Sequence, residues 1–209
     1  MNYRAWVVLL LLWLPGGAAA ASCSLLIVGD SLSSGHGLAN GSSWVDLLGA
    51  RLKKSAPDWQ VVNASVSGDT TQNGLQRLKP ALDRHHPQGV LIELGGNDAL
   101  RGIPPPVIRQ NLVAMIRQAR AAGAWVALLE APVLPNYGKP YADAVSRLYV
   151  EVAREERVVR VPCFVCGVGV GSGMMQADGI HPNEKAQRRM LDAVWPHIKP
   201  KLRCPAERS

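Results

Sequence analysis

The sequence lacks most of what would make its cysteines a metal or redox centre. It has four of them, Cys23, Cys163, Cys166 and Cys204, which is too few for a disulfide scaffold. Cys163-Phe164-Val165-Cys166 has C-x-x-C spacing, but no second C-x-x-C and no H-x-x-x-H supplies the other two ligands of a zinc site. A thioredoxin-like pair opens a helix after an early strand. This one comes late in the chain, after the segment 157–161, and runs into glycines. A structural disulfide or two free thiols remain for the pair, and the partners of Cys23 and Cys204 stay open. No metal and no cofactor is expected.

Other absences narrow the function further. Lys and Arg outnumber Asp and Glu by 23 to 16, yet they are scattered and form no dense basic block. That pattern is a solvated basic surface, not a nucleic-acid site, and leaves only transient contact with anionic membrane lipid in question. "GVGVGSG" fails as a dinucleotide fingerprint because G-x-G-x-x-G is not matched. There is no internal repeat, linker or low-complexity segment, and no G-x-S-x-G elbow.

What is present begins with an export pattern. Arg4 precedes a short apolar run from Ala5 to Leu14, then Pro15-Gly16-Gly17 and four alanines. This reads as a signal peptide over 1–20, cleaved after Ala20 or Ala21, with a periplasmic or secreted product. The run is too short to span a bilayer comfortably. Ala20 stands where a lipoprotein site usually has Leu, which argues against lipidation. Loss of residues 1–20 removes one Arg and no acid, so the charge falls from +7 to +6. Residues 21–209 suit one domain with its own core.

Short apolar runs at 25–28, 60–64, 90–94, 125–129 and 158–161 predict five buried strands. Amphipathic segments at 43–55, 70–84, 105–122, 141–156 and 183–197 predict the helices between and after them. His197 falls at the end of the last, where a histidine is a helix-end residue before it is a ligand. Alternating strand and helix gives an α/β fold, a three-layer α/β/α sandwich on a five-stranded parallel sheet. In such a sheet the loops after the strands share one edge.

Those loops carry the chemistry. "LLIVGDSLSSGHGL" ends the first strand on Gly29-Asp30-Ser31; Gly68 follows the second, Gly95-Gly96-Asn97-Asp98 the third, and Asp178-Gly179-Ile180-His181 precedes the last helix. Each alone is an ordinary turn or helix cap. Together they supply a serine nucleophile (Ser31), a base (His181), an acid to orient it (Asp178) and amide donors for an oxyanion. The donors are the Ser31 N–H, the Gly68 N–H and the Asn97 side chain.

With "GDSLS", "NASVSGDTT", "GGND" and "DGIHPN" in this order, the chain resembles the SGNH (GDSL-type) hydrolases, within them the small exported bacterial esterase, thioesterase I and lysophospholipase group. The resemblance covers all of 21–209. It implies a flavodoxin-like fold, the roles just given for Ser31, His181, Asp178, Gly68 and Asn97, and an acyl-enzyme on Ser31. It also implies small acyl ester, thioester or lysophospholipid substrates; a monomer is expected. Carbohydrate O-deacetylases share the same blocks and are the alternative. A thiol-redox protein using Cys163 and Cys166, or a non-catalytic lipid- or glycan-binding protein, is more remote. For the acyl groove, Leu100, Ile103, Met174 and Met175 are the candidate apolar walls, and the glycine-rich stretch after Cys163 departs from the family pattern there.

Overall fold

Every residue of β1, Cys23–Gly29, is buried, as a strand covered on both faces must be. The computed structural model describes residues 23–133, 137–165, 167–169 and 171–204; the expected leader at 1–20 and Cys166 lie outside them. With β2 (Trp59–Asn63), β3 (Gly89–Glu93), β4 (Trp125–Leu129) and β5 (Val159–Val161), β1 forms one parallel sheet in the order β2-β1-β3-β4-β5. The expected five-stranded parallel sheet is therefore the observed one.

Period-two alternation sends neighbouring β1 residues to opposite cores. Leu25 and Ile27 pack with Trp44 and Leu48 of α2 (Trp44–Ser55) and with Met190 and Val194 of the last helix. Leu26 and Val28 pack with residues of three other helices: Leu78 of α3 (Thr71–His85), Leu112 of α5 (Pro105–Ala121) and Val152 of α6 (Gly138–Glu155). Complete burial of one such side chain contributes about 1.5–3 kcal/mol, so both layers are held as firmly as any domain core. The last helix, α7, is Glu184–Ile198.

Local sequence sets the helix starts. Ser43 Oγ accepts from the Asp46 N–H while the Asp46 carboxylate accepts from the Ser43 N–H, a complete capping box. Thr70 and Asn73 repeat it ahead of α3. Two elements differ from the sequence expectation. Ser31–Ser34 (α1) and Gly96–Leu100 (α4) are short helical turns where the sequence predicts only loops. At four and five residues they are too short for hydrophobic periodicity to reveal.

Cys23 at the start of β1 is joined to Cys204 across 181 residues of chain. Cys163 is also disulfide-bonded, which removes the free-thiol alternative for that residue.

Chain order reverses between β1 and β3: β2 lies on one side of β1 and the rest of the sheet on the other. The crevice beyond the carboxyl ends of β1 and β3 is the switch point where such sheets bind ligands.

Candidate active site

Ser31 opens α1 directly after β1, and Asp30 caps that turn by accepting from the Leu32 N–H at 3.0 Å. Across the crevice, the chain between Met175 and Pro182 is pinched into a loop by an isolated antiparallel bridge. The Gln176 N–H donates to the His181 carbonyl and the Asn183 N–H to the Met174 carbonyl, each at 2.7 Å. Within this loop the Asp178 Oδ1 accepts from the N–H groups of Ile180 at 2.9 Å and His181 at 3.0 Å.

The loop sets His181 between two partners. Its Nδ1 lies 2.6 Å from Asp178 Oδ2 and its Nε2 lies 2.9 Å from Ser31 Oγ. The tautomer that satisfies both bonds carries hydrogen on Nδ1, leaving the Nε2 lone pair for the serine proton. The His181 backbone N–H, the His181 ring and the Ile180 N–H hold the Asp178 carboxyl well below the usual carboxylate range. It stays ionised wherever the ring has to carry a proton.

Asn97, in α4, reaches the same cleft from the end of β3. Its Nδ2 donates to Asp30 Oδ2 at 3.0 Å and to the Asp69 carbonyl at 3.1 Å. Both amide hydrogens are thus engaged. The backbone N–H groups of Ser31 and Gly68 have no partner among the described residues. Gly68 takes a φ of 83°, the left-handed region that favours glycine, with nothing near the place of a Cβ. The turn, not lack of space, is what asks for glycine here. Arg101, just after α4, donates to the Gly68 carbonyl, and Arg77 of α3 is paired with Asp69, which moors this loop at two points.

The cleft has a volume of about 280 Å³ and is lined by Ser31, His181 and Asn97 together with an apolar majority. Of the four proposed groove residues, Leu100 and Met175 line it; Ile103 and Met174 do not. Ile103 is packed against the core beneath α5 and α6, its carbonyl taken by the Tyr141 hydroxyl. Met174 precedes an extended position, so its side chain turns to the opposite side from Met175 and joins the α2–α7 core. Pro132, Val165, Val168 and Ile180 take the missing places. Gly68 also lies outside the lining.

Sequence reasoning passed over three polar neighbours. Asp30 lies inside "GDS", a motif that by itself assigns it no role. Glu93, the acid that interrupts the apolar run 90–94, is completely buried. The ring of His36 lies 4.6 Å from that of His181, tilted by 47°. Asp30 and Glu93 had a signal, since acids are almost never buried without a partner. His36 had none.

A parallel α/β/α sandwich with hydroxyl, imidazole and carboxylate in series at its switch point defines a serine hydrolase. The GDSL-like lipase/acylhydrolase family matches residues 27–189, and the chain belongs to it. Esterase TesA of Pseudomonas aeruginosa is 52% identical over 183 residues, covering 88% of this chain and 91% of that protein. Thioesterase 1/protease 1/lysophospholipase L1 of Escherichia coli (strain K12) is 41% identical over 182 residues, covering 87% and 86%. Among solved structures, the psychrotrophic esterase EstA from Pseudoalteromonas sp., inhibited by monoethylphosphonate, superposes with a TM-score of 0.81 at 36% identity, covering 86% of this chain and 98% of that one.

Proposed function

We propose that this chain hydrolyses carboxylic esters and thioesters of medium and long acyl chains, lysophospholipids among them, through an acyl-enzyme on Ser31. The observation that carries the reading is the Ser31–His181–Asp178 series opening on an apolar cleft. Ser31 Oγ attacks the acyl carbon as its proton passes to His181 Nε2, and Asp178 steadies the imidazolium. The oxyanion draws on the Ser31 and Gly68 N–H groups and on Asn97. Collapse expels the alkoxide or thiolate, which takes the proton from His181. Water, deprotonated by the same nitrogen, then attacks the acyl carbon, and Ser31 leaves with that proton as free acid is released.

The names of the relatives support the substrate classes. The apolar lining, with Met175 as an adaptable wall, supports longer chains, because each buried CH₂ adds roughly 0.8 kcal/mol. The N-terminal pattern and the Cys23–Cys204 disulfide support a site of action outside the cytoplasm.

The test is kcat/KM for a nitrophenyl ester series below micelle concentrations, with a long-chain acyl-CoA and a lysophosphatidylcholine alongside. Activity rising from acetyl to medium chains is expected, and Met175→Asp lowers it for long chains far more than for short ones. A maximum at acetyl that falls with each added carbon favours the O-deacetylase instead.

A further inference from the structure

Glu93 closes β3 directly beneath the turn that carries the nucleophile. The carboxyl is completely shut from solvent. Its Oε2 accepts from Ser33 Oγ at 2.7 Å and from the Asp30 N–H at 3.4 Å. The turn rests on it: a Cβ at Gly29 would come within 2.7 Å of that oxygen and 2.8 Å of Ser33. The other oxygen, Oε1, is equally buried and finds no donor among the described residues.

An unanswered buried carboxylate oxygen is costly. A proton on Glu93 removes the cost, because it turns an acceptor with no donor into a donor. The nearest buried acceptor belongs to Asp30, the residue whose own N–H donates to Glu93 Oε2 and which follows Gly29, the β1 residue paired with Glu93. Asp30 is itself buried, and its two oxygens take the Leu32 N–H and the Asn97 amide. Burial, and then the charge of Asp30, push Glu93 well above the usual carboxylate range, while burial pushes Asp30 up to about 6. The other titratable groups facing the pair are His181, Asp69 with Arg77 bound to it, and Tyr149, whose hydroxyl donates to the Leu94 carbonyl. Among the described residues no cation hydrogen-bonds to Glu93.

We infer that Glu93 is a positioning residue for the reaction: it holds a proton, donates it in a hydrogen bond to Asp30, and through Asp30 and Ser33 fixes both the nucleophile turn and the Asn97 amide. The positioning half rests on Ser31 being the nucleophile; the proton does not. A neutral Glu93 also keeps a second negative charge away from the place where the oxyanion forms.

Two variants and one spectrum test it. Glu93→Leu removes donor and acceptor together, and a small displacement of reacting groups lowers kcat roughly tenfold or more with KM little changed. Glu93→Gln recovers most of that loss, because its amide can still accept from Ser33 and donate to Asp30. In the infrared difference between wild type and Glu93→Gln at neutral pH, the carbonyl band of a neutral carboxylic acid belongs to the wild type alone. Absence of that band overturns the inference, as does a folded Glu93→Gln enzyme as slow as Glu93→Leu. The spectrum needs no substrate, so it stands if Glu93→Leu fails to fold. Its failure is also separate from any failure of Ser31 to be acylated.

Discussion

The two sides of the cleft are built by different means. On the sheet side, Ser31 and Asn97 stand on short turns whose supports are buried: Asp30, Ser33, Glu93, Asp98 and Thr71 are all hidden from solvent. Asp98 alone accepts the Thr71 N–H at 2.8 Å and its hydroxyl at 2.5 Å, and Asn111 donates to the same hydroxyl at 3.0 Å. On the other side, residues 178–180 are exposed, and His181 is aimed by backbone hydrogen bonds across a pinched loop. Under the proposed mechanism the nucleophile and the Asn97 amide meet a forming charge to within tenths of an ångström, and a desolvated polar network holds the turns they stand on. The third donor, Gly68, is exposed and tied by Arg101. The base has to swing a proton from one oxygen to another, and a loop anchored at both ends is enough for that.

If this division holds, a change on the loop side separates activity from stability. Asp178→Asn removes the charge that selects the tautomer and steadies the imidazolium, and kcat falls roughly 10³- to 10⁴-fold. The exposed carboxylate supports little of the fold, so the denaturant midpoint stays near that of wild type. A large fall in that midpoint breaks the comparison at once.

Asn97→Ala comes next and acts on both counts. Loss of one oxyanion donor lowers kcat about 10²- to 10³-fold, with KM moved much less. Asp30 Oδ2 and the Asp69 carbonyl also lose the Asn97 donor, so stability falls measurably in the same variant. Steady-state kinetics beside urea unfolding reads both effects.

Asp98→Ala sharpens the contrast from the opposite end. Asp98 does not line the cleft, yet its loss leaves the Thr71 N–H and the Thr71 hydroxyl proton without an acceptor in the core. Destabilisation of about 3 kcal/mol is expected, with a several-fold fall in kcat carried through α4. An unfolding curve identical to wild type shows that the buried network is dispensable.

The same division explains what could be read from the chain. The strands were legible because continuous apolar runs such as Leu25–Val28 have one physical explanation, burial on both faces. The series Ser31, Asp178 and His181 was legible because each residue falls where a parallel sheet delivers its loops. Ile103 and Met174 were not separable from Leu100 and Met175, since which neighbour faces a cleft depends on the local direction of an irregular backbone. Glu93 and Asp30 were in plain sight, but their meeting is a contact between adjacent strands, made only once β3 lies beside β1. The pairing of Cys23 with Cys204 likewise depends on where the last turn of the chain returns.

The central claim is that Ser31, and no other serine, is acylated because His181 stands beside it. Incubation with a fluorophosphonate, followed by mass spectrometry of the peptides, tests it most directly. Wild type gains a single adduct on Ser31. Ser34→Ala, whose hydroxyl meets Ser67 instead of the histidine, labels as wild type does, and folded Ser31→Ala gains none. An adduct retained at the wild-type rate in Ser31→Ala, or found on another residue of the wild-type enzyme, contradicts the account.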